Sequence, residues 1–207
     1  RSEAYREISD ALQSGTYDFS QPSGITSAKQ VKQSSLADVE TVDKTFRALL
    51  NMLTLSKEHR EQLRSKRGLT DEQIDRFGYR STPPFYKGRP LAERLIAKGY
   101  TVEGVPGFYQ KDRHWTVNFS TRTAGLLIPV RSIDRHICGF QIRLDVPLKD
   151  ENDEPDKEGA KYIWLSSAGK PMGTSSGSPV HFVGDPFARV VYVTEGALKA
   201  DVAHALM

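Results

Sequence analysis

The chain has 207 residues, 38% of them hydrophobic and 27% charged, and its formal net charge of +3 permits nucleic-acid binding without arguing for it. A single cysteine, Cys138, excludes an internal disulfide and a cysteine-based zinc site, and five histidines with no H-x-x-x-H spacing offer no metal site either. No apolar run approaches the ~20 residues that cross a bilayer, so no membrane partner is expected.

The cysteine usage suits a reducing, cytoplasmic compartment. The chain opens on Arg1 rather than Met, as a piece of a longer protein is expected to. Residues 1–12 fit a short helix with Tyr5, Ile8 and Leu12 on one face, and the Ser-, Gly- and Gln-rich stretch 13–35 reads as an arm or linker. From Leu36 to Leu55 an apolar stripe through Val39, Val42, Phe46, Leu49 and Leu53 predicts a core-facing helix. Ser56 caps a second helix ending near Arg67 at Gly68, and Thr70 with Gln73 forms a capping box for a third. The second helix carries Lys57, Arg60, Arg64, Lys66 and Arg67 among Glu58 and Glu61, a pattern that serves a solvated face as well as a phosphate contact. Pro90 to Ala97 fits another short helix, closed by Gly99.

The segment 102–120 interleaves Phe108, Tyr109, Trp115 and Phe119 with Lys111, Arg113 and His114, which suits base stacking or the side of a small core. Gly125 to Asp145 reads as a hairpin turning at Asp134-Arg135-His136, with Phe140, Ile142 and Leu144 on one face and Gln141, Arg143 and Asp145 on the other. The acidic stretch 147–159 reads as a loop, Lys161 to Leu165 and Pro179 to Val183 as short strands, and the Ser/Gly run 166–178 as a connection without P-loop spacing.

The segment RVVYVTEGALKADVAHAL, from Arg189, organises the rest. Val190 to Thr194 fits an interior strand of a parallel sheet, followed at Glu195-Gly196 by an amphipathic helix. A carboxylate at that turn would face the crevice where such sheets collect ligands. It would equally suit the first turn of a helix, paired with Lys199 four residues on.

In this order, QLRSKRGLTDEQIDRFGY, GLLIPVRSIDRHICGFQIRLD, KYIWLSS and VVYVTEGALKADVAHAL resemble the RNA-polymerase domain of bacterial DNA primases, in the branch found in plasmid, phage and conjugative-element replication proteins. The fold implied is a mixed α+β and α/β one. It comprises an arm (1–35), a helical region (36–100), a small β-rich subdomain with a mixed sheet (101–188) and the first strand-helix unit of a toprim fold (189–207).

What the resemblance implies for Glu195 is a catalytic and metal-binding role, with Mg²⁺ or Mn²⁺ expected in the full-length protein and none held tightly by this stretch. A basic ridge would carry over onto Arg67, Arg143 and Lys161, joined by Lys199, with Glu195, Arg143 and Lys161 converging on one hollow. The implied partners are single-stranded DNA or primer-template, nucleotides and a helicase. The implied parent activity is metal-dependent nucleotidyl transfer in primer synthesis, and the 207 residues alone are expected to be inactive. Lys199 stands where the family tends to have an acid, no Asp-x-Asp follows within the sequence, and the zinc ribbon is missing. A non-catalytic DNA-binding scaffold and a toprim nuclease are the alternatives.

Overall fold

The computed structural model describes residues 31–149 and 158–207. The helix expected over 1–12, most of the arm and residues 150–157 of the acidic stretch lie outside them, and residues 147–148 of that stretch belong to a strand rather than a loop.

Three helices form first, and each has local reasons for its ends. In α1 (Val39–Leu50) the Asp38 carboxylate accepts the Thr41 N–H, and the stripe through Val42, Phe46 and Leu49 is buried. The Ser56 hydroxyl caps α2 (Lys57–Arg67), and Gly68 ends it in the left-handed region at φ 70°. The Thr70/Gln73 capping box opens α3 (Asp71–Phe77). Arg60 reaches Asp71 at 2.6 Å and Asp75 at 2.7 Å, while Arg64 reaches Asp71 at 2.9 Å. Two of the five cations on α2 therefore lace it to α3.

The chain continues through β1 (Arg80–Ser81), α4 (Gly88–Ala97) and a hairpin of β2 (Phe108–Lys111) with β3 (His114–Val117). Then come β4 (Gly125–Arg131), β5 (Ile137–Leu148), β6 (Ala160–Trp164) and α5 (Ala197–Leu206). The larger sheet has the order β1-β4-β5-β6, and every pairing in it is antiparallel.

The period-2 alternation of β4 and β5 divides the interior into two cores. Leu127, Phe140, Ile142 and Leu144 face α1 and α4, and the Phe46 and Phe140 rings meet at 4.5 Å. Leu126, Ile128 and Val130 face the opposite way, onto Leu63, Ile74, Phe77, Ala197 and Leu198 from α2, α3 and α5 and onto Tyr79 just before β1. The hairpin and the face assignment of β5 match the sequence pattern, and so do α2, α3, α4 and β6.

The strand expected at Val190–Thr194 does not form. No ladder holds it, and Val190, Val191, Tyr192 and Val193 are 64–94% exposed. β-Branched composition favours a strand only where a neighbour supplies hydrogen bonds, and among the described residues none lies alongside. Among the described residues no parallel pairing occurs, and of the strand-helix unit they hold the helix. Pro179–Val183 is likewise no strand: Phe182 makes one backbone bond to Arg131, and Pro179 has no N–H to give.

A buried polar network fastens α5. The Asp201 carboxylate accepts the Tyr79 hydroxyl at 2.8 Å and His181 Nε2 at 3.0 Å, and its side chain is 1% exposed. The Arg131 backbone N–H donates to His181 Nδ1, so Nε2 is the ring nitrogen that donates to Asp201.

Asp201→Ala would leave two buried donors unpaired and should cost about 1–3 kcal/mol for each in urea unfolding, against about 1 kcal/mol for Tyr79→Phe. Burial holds the Tyr79 phenol far above its ordinary value of 10.0, and the Asp201 charge adds to this. Above that pH the unfolded chain loses a proton that the native state keeps. Stability should therefore fall with rising pH by about 1.4 kcal/mol per unit, and the alkaline slope should flatten in Tyr79→Phe. Lys at Val191 and Val193 should leave the thermal midpoint unchanged and suppress aggregation measured by light scattering, since both residues are already in water.

Candidate nucleic-acid interface

The outer part of the second core's sheet face carries the polar side chains of β5. Arg143 is paired across the ladder with Tyr162 of β6, and Gln141 with Trp164. Directly opposed residues of an antiparallel pair share a face, so Arg143 and Tyr162 emerge side by side, with Tyr162 38% exposed. From α2, Gln62 Oε1 lies 3.5 Å from an Arg143 nitrogen. Two residues further along, Asp145 lies 2.7 Å from His59 Nε2, and His59 Nδ1 lies 2.7 Å from Ser81 Oγ. That Ser-His-Asp chain is structural, because the Ser81 oxygen also accepts the Ser56 N–H at the start of α2.

Gly196, at the N-terminus of α5, comes down beside Gln141: a Cβ placed on it would lie 3.9 Å from Gln141 Oε1. Glu195, Gln141 and Trp164 line a common cavity of about 570 Å³ with the 179–197 segment. Gln141 and Arg143 are successive same-face positions, roughly 7 Å apart along the strand, so Glu195 borders the face that bears Arg143. Its carboxylate is 74% exposed and forms an ion pair with Lys199, the i,i+4 contact that the spacing allows. Lys199 therefore also reaches this border.

Lys161 does not join them. Arg143 is opposed by Tyr162 and Ile142 by Ile163, and Ile163 packs on the first core. Lys161 thus alternates away from Arg143, and its ammonium is held by Glu158 at 2.6 Å. The cavity that Glu195 lines includes neither Arg143 nor Lys161: Arg143 stands one same-face position beyond Gln141, and Lys161 faces the other way because a one-residue step along a strand reverses the face. Arg67 is half-buried at the C-terminal end of α2, two turns beyond His59 on the helix that flanks Arg143.

The metal expectation finds no fit around Glu195. Magnesium needs a hard-oxygen set, usually one or two carboxylates with waters and phosphate oxygens. Here a lone carboxylate is neutralised by an ammonium, and no cluster of three His, Cys, Asp or Glu residues suited to a metal occurs among the described residues.

Tyr162 and Gln62 were not singled out by motif. Tyr162 was legible as the outward position of a strand whose neighbours Ile163 and Leu165 face inward; the proximity of Gln62 depends on how α2 crosses the sheet. The aromatic segment 102–120 is mostly interior, with Phe108, Val117 and Phe119 buried in the first core. If the orphan acceptor of Gln141, which has no hydrogen-bond partner among the described residues, has no ligand either, Gln141→Leu should raise unfolding free energy by about 1 kcal/mol in denaturant titration.

Three solved structures are similar to part of the chain. The RNA polymerase domain of Mycobacterium tuberculosis primase DnaG, in complex with double-stranded DNA bearing a 6-nucleotide overhang, is 18% identical at TM-score 0.44, over 64% of this chain and 40% of that one. A DnaG primase catalytic domain bound to ssDNA is 22% identical at TM-score 0.34, over 61% and 37%. The Aquifex aeolicus primase, with its zinc-binding and RNA polymerase domains, is 16% identical at TM-score 0.41, over 63% and 30%. The chain thus spans at most about two fifths of these proteins. No protein-family model and no curated protein matches the sequence. At such TM-scores the likeness fixes no function, which rests on the chain's own residues.

Proposed function

We propose that the chain is a nucleic-acid-binding part of a primase-like replication protein, and that a single strand runs over the β5-β6 face between α2 and the N-terminus of α5. The observation that carries this is the cross-strand pair of Arg143 and Tyr162. A guanidinium beside an exposed ring is a phosphate contact next to a stacking surface, the combination by which single strands are held without sequence preference. Arg67 on α2 supplies further charge on one side of it, and Lys199 on α5 reaches the other side paired with Glu195.

The mobile-element branch, nucleotides and a helicase as partners, and metal-dependent primer synthesis by the parent protein rest on the sequence resemblance alone. A binding role without chemistry is the second reading, favoured by the Glu195-Lys199 pair. A toprim nuclease would need the Glu195 carboxylate to act as an acid or base, and the same pair opposes that.

Fluorescence anisotropy with a labelled oligothymidine tests the reading. Affinity should fall steeply with salt, and Arg143→Ala should reduce the slope of log K against log salt by about 0.7. Tyr162→Ala should weaken binding by about 1–3 kcal/mol with the salt slope unchanged. Lys161→Ala, on the other face, should change little. Equal affinities for all four proteins would remove the assignment.

A further inference from the structure

Toward the other end of β4, four arginines from four places in the chain line one cavity of about 710 Å³: Arg47 of α1, Arg76 of α3, Arg131 at the end of β4 and Arg135 in the hairpin turn. Leu126 of β4 pairs with Arg143, and Arg131 lies five residues further on, roughly 17 Å along the strand. The cavity is therefore a different place from the β5-β6 face.

Like charges are not gathered for free; each destabilises its neighbour's charged form. Burial lowers the Arg131 pKa from its ordinary value, with Asp201 opposing that and Arg47 adding to it. The fold nevertheless holds the guanidinium groups in place. Arg47 donates through Nε to Asp43 at 2.8 Å and through a terminal nitrogen to the Arg135 carbonyl at 2.9 Å. Arg131 donates to the Phe77 carbonyl at 2.8 Å, and Arg76 sits over the Phe77 ring at 5.1 Å. A guanidinium has five N–H donors, so these contacts fix three of the four groups and leave donors over, while the exposed Arg135 side chain adds a fourth from the turn. The carboxylates at the cavity are otherwise engaged: Asp201 by Tyr79 and His181, and Asp185 by the Phe187 N–H. Among the described residues, neither Arg76 nor Arg135 is in an ion pair.

We propose that this cavity binds a terminal phosphate group, carried by a free nucleotide or by the 5′ end of a nucleic-acid strand. Arginine forks match phosphate oxygens bidentately, and converging forks from separate elements suit a tetrahedral, multiply charged group better than a phosphodiester passing by. Phe182 and Pro186 give the cavity an apolar side. The site does not depend on the β5-β6 reading, and each can fail without the other.

Inorganic tripolyphosphate, titrated calorimetrically into the 207-residue chain, is the probe. Three proteins are compared: the unaltered chain, the double variant Arg76→Gln/Arg135→Asn, and Arg143→Ala. Arg76 and Arg135 are both exposed, and Asn tolerates the φ of 66° at position 135. Saturable binding is expected, roughly tenfold or more weaker in the double variant, as loss of two charge-assisted contacts implies, and unchanged in Arg143→Ala. Competition by a nucleoside triphosphate alone assigns the free nucleotide. Competition by a 5′-phosphorylated oligonucleotide, but not its 5′-hydroxyl counterpart, assigns the strand end, and competition by both assigns a site that reads phosphate alone. No saturable binding, binding untouched by the double variant, equal loss in Arg143→Ala, or tripolyphosphate displaced by neither competitor would each overturn the proposal, the last as an adventitious ion only.

Discussion

The structure depends on the burial of β4 on both faces. Leu126, Leu127, Ile128 and Val130 are at most 3% exposed, and their alternation commits α1 and α4 to one side and α2, α3 and α5 to the other. Neither layer is complete without the strand between them. β5 repeats the division over its first half: its apolar side chains close the first core while Gln141, Arg143 and Asp145 are left along the second face. Function, on this account, is placed by the half of β5 that the second core does not cover.

Elements whose signal is local were legible in the sequence. Ser56, Gly68, Thr70 and Gln73 each supply or accept a specific backbone hydrogen bond at a helix end, so the limits of α2 and α3 follow from a few neighbouring residues. The Gly125–Asp145 hairpin was legible for the same reason, and with it the outward face of Arg143. Val190–Thr194 was misread because five β-formers specify a strand only if something pairs with them. The sequence of that run is silent on whether anything does. Lys161 was misplaced by the difference of a single residue in register with Arg143. The tie between Tyr79, His181 and Asp201 joins positions over a hundred residues apart, and no spacing rule anticipates it.

Glu195 shows how one residue can fit two physical stories. As the acid at a strand end it would open a crevice; as the acid before α5 it neutralises Lys199 and suits the positive end of the helix. The structure forms the second arrangement. Its place beside Gln141 still puts it at the margin of the Arg143 face, where it shapes the local charge without supplying a metal site. Basic residues divide similarly: Arg60 and Arg64 hold α3, Lys161 holds Glu158, and Arg47 and Arg131 are steered by Asp43 and by carbonyls, while Arg67, Arg143 and Lys199 border the proposed path of a strand.

The central claim is that a single strand lies against β5 and β6 on the side of α2. Amide chemical-shift mapping of the isotopically labelled chain, titrated with unphosphorylated oligothymidine, tests it most directly. The account predicts the largest shifts at Gln62, Gln141 to Arg143, Tyr162 to Trp164 and the start of α5, with little change in the β2-β3 hairpin. Largest shifts at Tyr109, Trp115 and the rest of that hairpin, with β5 and β6 unmoved, would contradict it.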